Sequence, residues 1–425
     1  MDVDTLLSAA KGAMSSIQQL PTSGIVVLCV PGYMVLVSLL RYRRRDQIQA
    51  EFNYPDRESY ARMTDDDAFK IIKKISQFEF PFTYLKALQF ALFRTYGIPT
   101  ISSLLVKTAQ FSTRENSMKR YADTGVLIAE FVGNPPSSAR THEAIARMNY
   151  LHNGYRMSGK ILDDDMLYTL SLFAVEPVRW TKEYEWREFT DMEKCALGTF
   201  WKSIGDAMEI SYEKLPSGKK GFKDGLQWLE EITEWSLAYE TKAMVPDITN
   251  KETADQTVRV LLWDIPRLMR PLARNMVLFA MDERLRTAMM YPAVGKIYSF
   301  IFSSIFSIRK FLLRHFFLPR PFFMPYSRID KEPSAEARHF ISVWEGAPFY
   351  VKPTFLRRWG PGAWITWILG NPLPGDEGDA FYPQGYRIGD VGPKKFEGKG
   401  QEQVRLARER FEKERKGGCP FAVLN

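Results

Sequence analysis

Apolar residues recur with helical spacing along most of this chain. Between positions 65 and 290 they fall three and four residues apart, which is the period of an amphipathic helix packed on a core. Thr64 precedes three aspartates at 65–67, where a helix dipole favours acidic side chains. Thr190 and Glu193 have the spacing of a capping box. Alternating strand patterns are scarce, so we predict an all-α fold.

The most apolar stretch lies near the N-terminus. No residue from Gly12 to Leu40 is charged, and residues 24–40 are almost wholly apolar. At about 1.5 Å per residue this stretch measures roughly 25 Å, slightly less than the roughly 30 Å apolar layer of a bilayer. Neutral residues before it and snorkelling arginines at 41–45 would supply the remainder. Because acidic residues precede the stretch and arginines follow it, we predict a lumenal tail at 1–23, a transmembrane helix at 24–40 and a cytosolic body.

A second apolar stretch, Ile297 to Ile308, is too short to span a bilayer and is followed by basic residues. Three interpretations are open: an amphipathic helix at the membrane interface, the wall of an apolar pocket, or a buried core helix. After position 318 prolines and glycines become frequent, which indicates loops and short elements. We therefore predict a helical body at 41–318 and a loop-rich C-terminal region at 319–425, with a charged helix at 401–416.

Composition restricts the classes of function. The chain has 425 residues, 45% of them hydrophobic, and a net charge of +8. Its mean hydropathy of −0.26 excludes a transporter with many spans. Three scattered cysteines make neither a disulfide framework nor a zinc site, which fits a reducing compartment. No nucleic-acid-binding motif accompanies the positive charge, so we expect membrane lipid and no nucleic acid as a partner.

Several chemistries lack their residues. The four histidines are too few for the two irons of a membrane desaturase. His142 and Glu143 begin a His-Glu-x-x-His zinc motif, but its second histidine is replaced by Ala146. Glu336 and His339 form a single Glu-x-x-His pair, whereas a di-iron helical bundle needs two. A Gly-x-Ser-x-Gly nucleophile motif is also missing.

Two predicted helices carry polar residues on otherwise apolar faces. Arg120, Asp123 and Thr124 share one helix face with Leu127, which indicates either a pocket lining or a solvated, salt-bridged surface. His152 lies on the inward face of a neighbouring helix. A lone histidine in such a position is either a hydrogen-bonded core residue or a ligand, and a neutral imidazole facing an apolar cavity suits haem iron.

The segment from Arg120 to Ile210, with its runs RYADT, RMNYLHNGY and DDDMLYTLSLFAVEPVRW, resembles the rubber-oxygenase catalytic-domain family. It is more similar to the fungal, endoplasmic-reticulum-bound branch that serves the mycophenolic acid pathway. In latex-clearing members the motif Arg-x-x-Lys-Thr is followed by a haem-ligating histidine. Arg120 and Thr124 match this motif and His152 follows, whereas Asp123 replaces the lysine.

The resemblance implies a single helical haem-binding domain with haem b as cofactor. It also implies an oxygenase that cleaves a double bond in the prenyl (farnesyl) chain of a meroterpenoid. His152 would be the iron ligand, Arg120 and Thr124 would hydrogen-bond dioxygen, and Asp123 would accept a proton. The enzyme would be anchored in the endoplasmic reticulum membrane. Two alternatives stay open: a non-catalytic lipid- or prenyl-binding membrane protein, and a non-haem oxygenase in which His152 and Asp123 hold iron.

Overall fold

The computed structural model describes residues 22–108 and 114–421, with no side-chain detail at 22–26, 28, 114 and 115. The predicted lumenal tail therefore lies outside the described residues except for its last two positions. No β-strand occurs in the described ranges, where only two isolated bridges join Ile329 to Ile341 and His339 to Tyr386. The prediction of an all-α fold is confirmed.

The helices are, in chain order, α1 (Thr22–Phe52), α2 (Asp65–Lys74), α3 (Pro81–Thr95), α4 (Pro99–Lys107), α5 (Arg114–Gly133), α6 (Ala139–Met157), α7 (Asp163–Tyr184), α8 (Asp191–Ala207), α9 (Gly225–Ala243), α10 (Ile248–Leu261), α11 (Arg270–Ala280), α12 (Glu283–Ala288), α13 (Lys296–His315), α14 (Phe355–Trp359), α15 (Pro361–Ile368) and α16 (Gln401–Glu414).

The helix starts predicted from capping residues are confirmed. The hydroxyl of Thr64 accepts a hydrogen bond from the Asp67 backbone N–H at the start of α2. At the start of α8, Thr190 and Glu193 form both hydrogen bonds of the capping box. This helix ends at Ala207, close to Glu209, whose φ of +56° an α-helix does not accommodate.

Close helix packing forms the core around which the site is built. Helices α8 and α9 approach so closely that a Cβ added at Gly198 would lie 1.8 Å from the carbonyl oxygen of Gly225. A side chain at Gly198 would therefore push the two helices apart. Helices α3 and α7 pack through aromatic side chains, with the rings of Phe90 and Trp180 5.3 Å apart.

Helix α1 contains the predicted transmembrane segment 24–40 but continues beyond it to Phe52. Val37, Arg41, Arg44 and Ile48 recur every three or four residues and are all buried. One face of the helix therefore packs on the protein. In the part of the chain that the structure describes, no helix is long and apolar enough to cross a membrane. The predicted transmembrane helix is thus not supported.

Two of the arginines after the apolar segment, Arg41 and Arg44, are buried and do not snorkel, so the prediction is wrong for them. Arg41 Nε donates to the carbonyl oxygen of Phe317 at 2.9 Å, and Arg44 donates to that of Arg320 at 2.5 Å. These carbonyls follow the end of α13, where backbone acceptors lack partners within the helix. The arginines therefore join α1 to α13 and satisfy backbone groups.

Helix α13 contains the second apolar stretch, and its exposure decides among the three interpretations. Phe302 is its buried residue, whereas Ile297 and Phe300 are 75% and 74% exposed. No residue of 297–308 lines either of the two large apolar cavities described below. The exposure excludes the core-helix interpretation, the helix forms no wall of these two cavities, and the structure favours the interfacial interpretation.

The C-terminal region packs against the helical body. Arg147 of α6 is fully buried, and its guanidinium donates to the carbonyl oxygens of Val391, Lys399 and Phe396 at 2.7–2.9 Å. Helix α16, the predicted charged helix, lies along α6 and buries Val404 and Phe411. Residues around 392–396 thereby become part of a cavity wall.

Candidate active site

A large apolar cavity lies among helices α3 to α8 and is closed on one side by the C-terminal region. Its volume is about 1620 Å³, part of which is open to solvent. Arg120, Asp123, Thr124 and His152 all line it, so the structure brings together every site residue predicted from the sequence. Apolar side chains form most of the remaining wall, among them Leu104, Leu127, Phe131, Met148, Leu151, Met166, Leu170, Phe173, Trp201, Ile204 and Phe396.

Polar contacts on both sides of His152 fix the face of α6 that it occupies. Asn149, three residues earlier, donates its side-chain amide to the carbonyl oxygen of Ala207 at 2.9 Å. Arg156, four residues later, donates to the carbonyl oxygens of Met208 and Glu209 at 3.0 Å. Because these acceptors lie at and just beyond the end of α8, they tie one face of α6 to that helix end.

The imidazole of His152 is suited to act as a ligand. The residue is half-buried, since its ring borders the cavity. Burial lowers its pKa to about 4, and the positive charges of Arg120 and Arg156 add to this effect. The ring is therefore neutral at physiological pH. Its Nδ1 atom is buried and has no hydrogen-bond partner.

Asp123 is held in a buried cluster with Lys119 and Tyr350. Lys119 Nζ lies 2.9 Å from Asp123 Oδ2, and the Tyr350 hydroxyl donates to Asp123 Oδ1 at 2.6 Å. Lys119 also donates to the carbonyl oxygen of Gly392 at 2.7 Å. Burial raises the pKa of Asp123, while Lys119 and the hydrogen bond from Tyr350 partly oppose that rise. The cluster joins α5 to two segments of the C-terminal region.

Sequence reasoning missed Lys119 and Tyr350. Lys119 stands four residues before Asp123, and this spacing on a helix is a recognisable signal for an ion pair. Tyr350 lies 227 residues away from Asp123 and gives no local signal. Its φ of +62° is unfavourable for a residue with a Cβ, so the surrounding contacts must hold that backbone conformation.

Arg120 and Thr124 also line a second cavity of about 1200 Å³. This cavity lies among α3, α5, α10 and residues 326–329. The two cavities share Leu92, Tyr96, Arg120, Thr124 and Ile128 in their walls. The predicted oxygen-binding residues therefore stand at the junction of two apolar spaces.

The side chains that could coordinate a metal limit the kind of metal centre that the site can hold. Across residues 22–108 and 114–421, no group of three or more His, Cys, Asp or Glu side chains is arranged to hold a metal ion. The carboxylate of Asp123 is already bonded to Lys119 and Tyr350. A directly bound non-haem iron would therefore lack a ligand set. One neutral imidazole with apolar walls fits a haem, which brings its own four nitrogen ligands.

These features define an all-α protein with a large apolar cavity that one neutral histidine lines. The family model described as ER-bound oxygenase mpaB/B'/rubber oxygenase, catalytic domain, matches residues 96–298, which include all four site residues. The chain is 52% identical to ER-bound oxygenase mpaB' of Penicillium brevicompactum over 397 residues, 93% of this chain and 94% of the relative.

Two further relatives agree. ER-bound oxygenase mpaB of Penicillium brevicompactum is 49% identical over 85% of this chain and 86% of its own length. ER-bound oxygenase mpaB of Penicillium roqueforti (strain FM164) is 57% identical over 61% of this chain and 87% of its own length. The chain belongs to this family and is an oxygenase, so the resemblance stated from its motifs is confirmed.

Proposed function

We propose that this oxygenase uses haem b and dioxygen to cleave a carbon–carbon double bond in the prenyl (farnesyl) side chain of a meroterpenoid, as in mycophenolic acid biosynthesis. The observation that supports the proposal most directly is the neutral imidazole of His152 in an apolar cavity that Arg120 and Thr124 also line.

The residues of the larger cavity have distinct roles in this proposal. His152 would hold the haem iron, and the apolar walls would exclude water from the site. Lys160, which also lines the cavity, would offer positive charge to the haem carboxylates. When bound, the haem supplies the iron at which dioxygen is activated. Arg120 and Thr124 would donate hydrogen bonds to oxygen, and Asp123 would hold a proton shared with Tyr350.

The proposed reaction balances without an external reductant. One oxygen atom of O₂ is added to each carbon of the double bond, and the carbon–carbon bond between them is broken. In a farnesyl chain the CH carbon of each double bond lies nearer the head group. The retained fragment therefore ends in an aldehyde, or an acid after further oxidation, and the released fragment is a ketone.

Optical spectra of the detergent-purified protein test the cofactor. We expect a Soret band in the ferric state after haem supplementation, and a shifted band in the ferrous state with CO. Incubation with a farnesylated phenol and O₂ should yield the shortened aldehyde by mass spectrometry. A folded protein without a Soret band would overturn the haem proposal. Metal analysis would then decide between non-haem iron and a non-catalytic prenyl-binding protein.

We also propose that the protein attaches to the endoplasmic reticulum membrane with its catalytic body in the cytosol. The named relatives are ER-bound, and several helices of this chain leave apolar faces uncovered. Trp364, Ile365, Trp367 and Ile368 of α15 are all more than half exposed, as are Ile297 and Phe300 of α13. Short apolar helices rich in tryptophan are typical of the membrane interface.

Placing two acidic residues on α15 should weaken membrane attachment. The change Ile365→Glu with Ile368→Glu removes two exposed apolar side chains. Burying each of them in the membrane contributes about 1.5–3 kcal/mol, so we expect at least about a tenfold lower partition coefficient. Cosedimentation with phosphatidylcholine–phosphatidylserine vesicles measures it. Leu406→Glu on the exposed face of α16 is the control and should bind like wild type. Equal binding of all three proteins would exclude α15 from the membrane contact.

A further inference from the structure

The second cavity has the form of a chain-binding site. Its walls are mainly apolar, with Leu85 and Leu88 from α3, Val132 from α5, Val260 from α10, and Ile329. Arg120 and Thr124 belong to its wall and also to the wall of the larger cavity. An apolar ligand in this space would therefore lie beside the proposed oxygen-binding residues.

Small residues line this cavity along α5. Gly125, Ala129 and Gly133 are spaced at four-residue intervals and all line it. A Cβ built on Gly125 meets no atom within 4 Å, so free space lies beside that residue. From Gly125 to Gly133 the strip is about 12 Å long, since an α-helix rises about 1.5 Å per residue.

Polar groups gather around Gln89, which also lines the cavity. Gln89 Nε2 donates to Glu345 at 2.5 Å and to the Tyr121 hydroxyl at 2.7 Å, and these contacts orient the amide. Gln89 Oε1 is then left buried without a hydrogen-bond partner. A buried acceptor without a donor is costly, which points to a ligand hydroxyl.

A positively charged side chain, Arg328, lines the same cavity as Gln89. Arg328 lines the cavity and is half-buried, and its positive charge acts on Tyr121 and Glu345, which are hydrogen-bonded to Gln89. The polar region therefore offers one free acceptor and a guanidinium. A phenol carrying a neighbouring carboxyl or carbonyl group has the complementary donor and acceptors.

We infer that the second cavity binds the prenyl chain of the substrate along α5, with a hydroxylated aromatic head group at Gln89 and Arg328. This inference rests on the proposed function and names how its substrate is held. It also assigns the substrate route to the space between α3 and α5, away from the 297–308 helix.

Filling the strip beside Gly125 tests the position of the chain. For Gly125→Leu we expect at least a tenfold weaker Kd for a farnesylated phenol, measured by tryptophan fluorescence, and a smaller loss for the geranyl analogue. The Soret band should be unchanged. Gly154→Leu is the matched control, because Gly154 is also helical, has free space around its Cβ position, and is exposed on α6. Wild-type farnesyl binding by Gly125→Leu would overturn the inference.

Arg328→Met tests the position of the head group. We expect about a tenfold weaker Kd for the farnesylated phenolic acid, with an unchanged Kd for farnesol, which lacks the aromatic ring. Arg328→Lys should restore part of the affinity, and Lys331→Met is the control at an exposed cation nearby in sequence. An equal loss for both ligands would refute the head-group assignment. Binding is measured apart from turnover, so a protein that binds these ligands without cleaving them refutes only the proposed function.

Discussion

His152→Ala is expected to abolish haem retention and to reduce double-bond cleavage by more than about 100-fold. Removing a residue that only orients a metal ligand costs up to about 100-fold, so loss of the ligand itself should cost more. His152 is the one histidine among the residues that line the larger cavity, and no cysteine lines it. Its Nδ1 atom makes no hydrogen bond in the structure, so the substitution breaks no polar contact there. The measurement is the Soret absorbance per folded protein, with circular dichroism as the check on folding.

A second histidine of α6 provides the control. His142 is 1% exposed, has a pKa lowered mainly by burial, and does not line the cavity. His142→Ala should therefore lower the melting temperature while retaining the Soret band. Added imidazole should restore part of the band in His152→Ala, because it can occupy the vacated space. A wild-type Soret band in His152→Ala without imidazole would show that another residue holds the haem.

The pH dependence of haem retention follows from the same residue. Only the neutral imidazole is a ligand, so a proton competes with the iron for the ring nitrogen. The pKa of His152 is lowered to about 4 in the folded protein, below its usual value near 6.5. Retention should therefore persist as the pH falls through 6.5 and be lost only toward about pH 4. A midpoint of release near 6.5 in still-folded protein would contradict this environment for the ring.

Local spacing in the sequence was sufficient to place Arg120, Asp123 and Thr124 on one helix face, and they line one cavity. Spacing left open whether that face lines a pocket or is solvated, and the site role was implied by the family resemblance. That His152 borders the same cavity depends on the packing of α5 beside α6, which the family motif implied and spacing alone did not.

The contacts that the sequence did not reveal are those between residues far apart in the chain. The arginines after the apolar segment were interpreted as membrane-facing, because a charge that follows an apolar run commonly marks the end of a membrane span. In the folded chain Arg41 and Arg44 are buried against backbone carbonyls more than 270 residues away. Tyr350 similarly gains its role from a contact with Asp123 that no local pattern encodes. Burial of polar groups was therefore the property hardest to predict.

Asp123→Ala is expected to lower the free energy of unfolding by about 3–5 kcal/mol, because it leaves the buried ammonium of Lys119 without its counter-ion. The Tyr350 hydroxyl also loses its acceptor, and the residue relaxes from its unfavourable φ of +62°. Since Lys119 also holds the Gly392 carbonyl, the cavity wall at 392–396 should loosen. Urea denaturation monitored by circular dichroism measures the loss, and a change below about 1 kcal/mol would show that water reaches the cluster.

Removing both charges separates the structural role of Asp123 from its proposed chemical role. The double variant Lys119→Met with Asp123→Leu leaves no unpaired buried charge, so most of the stability that Asp123→Ala loses should return. If Asp123 also accepts a proton in the reaction, this stable double variant should keep its Soret band and its Kd for the farnesylated phenol, yet turn over at least about 100-fold more slowly, as expected for the loss of a general base. Turnover at the wild-type rate would restrict Asp123 to joining α5 to the C-terminal region, and proton transfer would then require a different group at the junction of the two cavities.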